Sequence, residues 1–346
     1  HSFRKMLKSK FSKIFTVAIL LTVSLTFSTN VKAQKAKFID VKQAIQIALD
    51  SNLVVKSSTY SVDAQKALKG ASWNLPKTSI EGQYGQFNSY TKDNSFTISQ
   101  SFNFPTVYVY QSKLANANVK SSEWQLKNSQ VEVAAQVKQV YWQLAYLYSK
   151  QKLLVYQDSL YIGFFKAAEL RARTGETNKL EMITAKTQSL EVKNILHQVS
   201  ADIEIHIKKL QALLNSSMVY VPVDTFLHRI EFAPLAENAV ASENANIGYM
   251  QQQVEVARLE KKVERNNVLP EFSIGYFSQT MQGVQDVNGV PRTFGSGDRF
   301  NGIQAGISIP FWFVPYTSKA KAARIKELVA QTDADYYSKT VLGSYR

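Results

Sequence analysis

Between Thr106 and Val221 the chain has no proline and only two glycines, Gly163 and Gly175. The stretch is dominated by Ala, Gln, Lys, Leu, Glu and Val, most of them good helix formers. Apolar residues recur at three- and four-residue steps, as in Val133, Val137, Val140, Tyr141, Leu144, Leu147 and Tyr148, which puts an apolar stripe on one helical face. The spacing predicts two very long helices broken near Gly175. A helix from about Tyr108 to Ala172 would run roughly 95–100 Å at 1.5 Å per residue, far beyond the diameter of a globular domain. Such a helix must lie side by side with others, as in a coiled coil or a helical repeat.

The helical pattern is interrupted by segments of a different period. After Leu75-Pro76, the residues Ile80, Gly82 and Tyr84 alternate with Ser79, Glu81 and Gln83. Beyond a polar loop, Phe96, Ile98, Phe102 and Phe104 alternate with Thr97, Ser99, Ser101 and Asn103, ending at Pro105. These are strand patterns, and about ten residues alternating apolar with small polar is the pattern of a transmembrane barrel strand.

The same order returns about 200 residues later, and a repeat of this kind sets the architecture. Asn74-Leu75-Pro76-Lys77-Thr78-Ser79-Ile80 corresponds to Val268-Leu269-Pro270-Glu271-Phe272-Ser273-Ile274. The segment Ile303 to Pro310 corresponds to the one ending at Pro105, and Ser318-Lys319 to Ser112-Lys113. The unit reads helix, strand, strand, long helix, tip, long helix. This gives a first repeat over 34–215, with strands at about 78–87 and 95–104 and a tip near 175. A connecting segment over 216–243 carries Pro222 and Pro234, and a second repeat over 244–346 has strands at about 271–279 and 301–310. By comparison with the first repeat, the second stops within its first long helix and lacks its distal helix pair.

Residues 1–33 read as an export signal. A basic stretch after Met6 precedes an apolar run from Ile14 to Phe27 and a polar end at Val31-Lys32-Ala33-Gln34. The run is shorter than the ~20 residues a spanning helix needs, and no other stretch is apolar and uncharged for that length. If the mature chain enters a membrane it does so as strands, the remaining way to satisfy the backbone in lipid. The net charge of +14 invites a nucleic-acid reading, but six of those charges lie in the export signal, and the chain is expected to bind no nucleic acid.

These residues resemble the TolC-like outer-membrane efflux proteins, over roughly Phe38 to Arg346. The most specific piece is the turn Arg171-Ala-Arg-Thr-Gly175-Glu-Thr-Asn-Lys-Leu180-Glu181-Met-Ile-Thr-Ala185, which fits the family's R-x-x-x-G-x-x-x-x-L-[DE]-x-x-x-A. Glu176 departs from it, since that position is commonly apolar. The resemblance implies an α+β membrane protein, a homotrimer in which each chain gives four strands to a 12-stranded barrel and its helices to a periplasmic α-barrel. It implies an outer-membrane location in a Gram-negative bacterium, in contact with outer-membrane lipid. The function implied is a passive duct fed by an inner-membrane pump, of RND type, through a periplasmic adaptor. The adaptor-docking tip would comprise Arg171, Arg173, Thr174, Gly175, Glu176, Asn178, Leu180 and Glu181. Pro76, Pro105, Pro270 and Pro310 would mark the corners between strands and helices. Metal ions, drugs, dyes and polypeptides all remain open as cargo, with small molecules or metal ions preferred from the type of turn.

Four strands cannot close a transmembrane barrel alone, so oligomerisation is expected from the strands themselves. No enzyme motif is present: no phosphate-binding loop, dinucleotide fingerprint, H-E-x-x-H or G-x-S-x-G, and with no cysteine there is no thiol chemistry. No catalysis and no cofactor are expected. Asp202 and His206 share a helical face, but without a third ligand they read as a solvated pair. Asp286-Val-Asn288-Gly289 reads as an exposed loop, not a calcium loop. The alternative reading is a periplasmic or surface coiled-coil interaction protein whose strands form a small soluble head.

Overall fold

The structure is a computed structural model that describes residues 36–224 and 244–343. The export signal (1–33) and residues 225–243 of the connecting segment lie outside the described residues. The chain begins with a short strand β1 (Lys37–Ile39) and two helices, α1 (Val41–Ser51) and α2 (Leu53–Lys69). Strands β2 (Ser79–Gly85) and β3 (Asp93–Phe102) lead into α3 (Pro105–Arg173). Next come α4 (Lys179–Leu213) and β4 (Tyr220–Pro222). The second half holds α5 (Ala245–Asn266), β5 (Glu271–Thr280), β6 (Gly283–Val287), β7 (Val290–Phe294), β8 (Arg299–Ser308) and α6 (Val314–Gly343).

Helix α3 has 69 residues, about 104 Å at 1.5 Å each. Pro105 opens it at a position where a missing N–H costs nothing, and Gly163 is accommodated without a break. α3 packs along α4 on its distal half and between α2 and α5 on its proximal half, and α5 packs along α6. Among the described residues, no helix is long and apolar enough to cross a membrane.

The main core sits midway along α3. Ala44 and Ala48 of α1, Val137, Tyr141 and Leu144 of α3, and Leu210 and Leu214 at the end of α4 are all fully or almost fully buried there. The parallel pair β1–β4 lies against this cluster. The Tyr141 hydroxyl shares its one hydrogen between Asp224 Oδ2 (2.8 Å) and Ile39 O (3.1 Å), tying α3 to β1 and to the residues just past β4. Burial, with Asp224 beside it, pushes the Tyr141 phenol up to about 12. The free carbonyls at the end of α4 are satisfied from the α1–α2 junction: Ser51 Oγ donates to Leu214 O (2.7 Å) and Asn52 Nδ2 to Leu213 O (2.8 Å).

Four strands form one sheet in the order β2-β3-β5-β8, every neighbour antiparallel. The two hairpins of the duplicated unit therefore meet at β3–β5, and β2 and β8 are open edges. The return strands lie two residues earlier than expected, at 93–102 and 299–308, in place of 95–104 and 301–310. In the first, Asn103 N donates to the Tyr108 hydroxyl (3.0 Å), which ends the ladder at Phe102.

Candidate functional site

Direct cross-strand partners point to one face of a sheet. Ile80, Ile98, Tyr276 and Ile303 form one such row, and Phe102, Phe272 and Ile307 another. On β3 the apolar positions of this face run from Phe102 to Phe96, about 20 Å along the strand at 3.4 Å per residue, and at the Phe96 end the neighbouring strands turn polar with Ser278 and Asn301. The apolar side chains are exposed in the single chain: Ile303 is 79% and Ile80 66% accessible. In the row between those of Ile98 and Phe102, Gln100 is the polar partner of Ile274 and Ala305, and it is satisfied locally. Its Nε2 donates to Pro76 O (2.7 Å), and its Oε1 accepts from Thr78 Oγ1 (2.6 Å).

The opposite face carries Ser79, Gln83, Ser95, Thr97, Ser99, Ser101, Ser273 and Gln304. Its charged residues in the ladders are Glu81, Asp93 and Glu271, all acidic. Phe277 also lies on this face, tight against its partner Gly302, where an added Cβ would fall 2.5 Å from the ring. One apolar face and one hydroxyl-rich face, on strands with two open edges, is the geometry of a barrel wall between lipid and water.

At the outer end of the sheet the loops of the two repeats are joined by Asp93, a residue that pattern reading did not single out. Its Oδ2 accepts from Ser89 Oγ (2.7 Å) and Asn88 N (3.1 Å), and its Oδ1 from Gln282 N (3.1 Å). Asp93 and the neighbouring Thr280 are fully buried, and Thr280 Oγ1 accepts from Asn94 N (2.9 Å). The loop containing Asp286 is itself a hairpin, β6–β7. Asn288 and Gly289 both have positive φ, and Gly289 N donates to Asp286 Oδ1 (2.6 Å), so that carboxylate closes a turn.

The corner prolines are not equivalent. Pro105 starts α3 directly, whereas Pro310 stands four residues before α6, which opens at Val314-Pro315. Pro270 immediately precedes β5, and Pro76 supplies its carbonyl to Gln100. The intervening Phe311 and Trp312 are 84% exposed. Tyr108 is buried and stacks on Trp73 with ring centroids 5.7 Å apart.

At the far end of α3 the turn is built by its own residues. Gly175 takes φ +82°, the left-handed conformation that ends a helix, while Thr174 N donates to Leu170 O (3.0 Å) and Glu176 N to Arg171 O (2.9 Å). Asn178 caps α4 by accepting from Glu181 N (3.0 Å). Arg171 reaches across to Glu181 (3.2 Å) and lies 3.9 Å from Glu176, so the unexpected acid gives the arginine a second partner. Thr177 also donates to Glu181, and Arg173 pairs with Glu169 (3.4 Å). Leu180 is left 69% exposed amid these charges. The eight tip residues are thus brought together in one turn.

No group of three or more His, Asp or Glu side chains poised for a metal occurs among the described residues. His206 bonds the backbone carbonyl of Asp202 (2.8 Å), not its carboxylate.

No family model matches the chain, and neither does any curated protein. Solved structures do match. The CmeC outer membrane channel of Campylobacter jejuni superposes with TM-score 0.68 at 14% identity, over 88% of this chain and 68% of that one. CusC, whose structures describe folding and transmembrane channel formation, gives TM-score 0.67 at 18% identity, over 92% and 77%. The outer membrane protein VceC of Vibrio cholerae gives 0.67 at 14%, over 87% and 75%. The fold is TolC-like. The long helices and the four-strand sheet belong to one TolC-like unit, which does not fit strands packed as a small soluble head on a coiled coil.

Proposed function

We propose that this protein is the outer-membrane channel of a tripartite efflux system. The observation that carries the reading is the sheet: apolar outside, hydroxyl-rich inside, open at β2 and β8, and continuous with a helix of about 100 Å. β2 and β8 run antiparallel to one another, so β8 of one copy can pair with β2 of the next, and three copies give twelve strands. The water-filled bore would pass solutes without chemistry, and the helices would carry it into the periplasm. The matched structure CmeC is an outer membrane channel, which supports the same assignment. The tip around Gly175, with Leu180 exposed between charged pairs, offers a docking knob to a periplasmic adaptor, and an inner-membrane pump of RND type would stand behind it.

The test is extraction and conductance of the full-length protein. A species that leaves outer membranes only with detergent, runs as a trimer on a native gel and gives discrete conductance steps in a planar bilayer supports the channel. A water-soluble, non-conducting protein overturns it.

A further inference from the structure

Just below the sheet, α3 and α5 enclose a groove of about 370 Å³ lined by Lys113, Lys120, Glu255, Arg258, Leu259 and Lys262. Four cations face one carboxylate, and that carboxylate is already engaged: Glu255 takes two bonds of 2.6 Å from Arg258, which holds it below the usual carboxylate range. Tyr110 sits between the two helices, with the ammonium groups of Lys113 and Lys262 each 5.5 Å from its ring centroid. No salt bridge joins Lys113, Lys120 or Lys262 to an acid among the described residues. Two ammonium groups sharing one ring repel each other, and an anion between them relieves that repulsion.

Height and side narrow the choice of anion. Lys113 lies eight residues into α3, about 12 Å from the corner at Pro105, and helix side chains lean toward the N-terminus, here the sheet. Lys262 is four residues from the end of α5, at a similar level. A separate cavity places Val107 of α3 and Glu264 of α5 beside Asn103, Phe104 and Glu271, the last on the hydroxyl-rich face of the sheet. At about 100° per residue, Lys113 and Lys120 stand roughly 120–140° around α3 from Val107, and Lys262 about 160° around α5 from Glu264. The groove therefore opens on the other side, the side of the apolar sheet face. Cations at this height, beside a tyrosine, match the level of lipid headgroups.

We infer that the α3–α5 groove binds the phosphate of an anionic phospholipid headgroup in the inner leaflet, through Lys113, Lys262 and Lys120. The inference rests on the membrane-channel reading. Lipid recognition of this kind would hold each protomer at a fixed depth.

The experiment is native mass spectrometry of the detergent-extracted full-length protein after exchange into mixed micelles containing phosphatidylglycerol or phosphatidylcholine. A second arm titrates inorganic phosphate as competitor. The expected result is retention of phosphatidylglycerol over phosphatidylcholine, lost in the Lys113→Gln/Lys262→Gln variant by roughly thirtyfold, the effect of two basic residues at an anionic surface. Lys208→Gln/Lys209→Gln, on α4, is the control and should retain lipid as the parent does. Equal retention of both lipids, or equal retention by parent and Lys113→Gln/Lys262→Gln variant, overturns the proposal. Displacement of the lipid by millimolar phosphate overturns the lipid source in favour of a free-anion site. A protein that stays in water without detergent overturns the channel reading itself, a distinct outcome.

Discussion

The hub around Tyr141 and the turn around Gly175 lie on one helix, on the order of 50 Å apart, and they are held by opposite means. At the hub, side chains from α1, α3 and α4 and the β1–β4 pair interlock with almost no accessible surface, and the polar atoms of Tyr141, Ser51 and Asn52 are each paired. At the turn, every named interaction joins residues within ten positions of one another, and Leu180 stays largely exposed. The difference teaches where rigidity is supplied and where it is withheld. Burial over long sequence separations fixes the hub, while the turn keeps its shape by local hydrogen bonds that contribute about 1 kcal/mol each. The proposed docking surface can remain exposed because the turn does not depend on burying it.

Substitutions should follow that gradient. Leu144→Ala removes a fully buried side chain at the hub and should cost about 2–5 kcal/mol, read as a lowered midpoint in denaturant unfolding. Tyr141→Phe strips one donor from Ile39 O and the Asp224 carboxylate and should cost about 1–3 kcal/mol in the same assay. Because the folded phenol titrates near 12 and a free one near 10, the neutral form favours the folded state. That contribution is complete below about pH 10 and is lost as pH rises toward 12, so the parent should lose stability over this window more steeply than the Tyr141→Phe variant.

At the turn, Gly175→Val forces a branched side chain into φ +82° and should cost about 1–2 kcal/mol. The readout is faster hydrogen exchange confined to residues near 171–181, with the hub protected as before. Arg171→Ala breaks only exposed pairs and should change global stability by less than about 1 kcal/mol. A global loss comparable to that of Leu144→Ala would erase the contrast between hub and turn.

Much of this architecture is legible in the sequence because it is periodic. The absence of proline over Thr106 to Val221 announced α3 and α4, and alternation in Ile80 to Tyr84 and Phe96 to Phe104 separated the two faces of the sheet. The glycine located the turn, while Arg171 and Glu181 stood out only through the resemblance to the family's turn pattern; the structure supplies their physical reason, a left-handed cap bridged by a cross-turn ion pair. Contacts made across the repeats are not periodic and stayed hidden. Asp93 looks like an ordinary loop acid, since its partner Gln282 N lies 189 residues away. The β6–β7 hairpin did carry a signal in Asn288-Gly289, the dipeptide favoured in two-residue hairpin turns, but Pro291 spoke against a strand. The groove at Tyr110 arises only when α3 and α5 lie side by side, so neither half of its lysine set is informative alone.

The open edges at β2 and β8 have a consequence for how such a protein is made. In lipid, each backbone group left unpaired along those strands costs several kcal/mol, so a solitary protomer has no stable way to enter the bilayer. On the proposed channel reading, insertion and subunit encounter become one event, and the yield of inserted protein should rise more steeply than the amount synthesised. On the proposed assembly, a copy with one spoiled edge could still pair through its other edge, and so would disable its normal siblings.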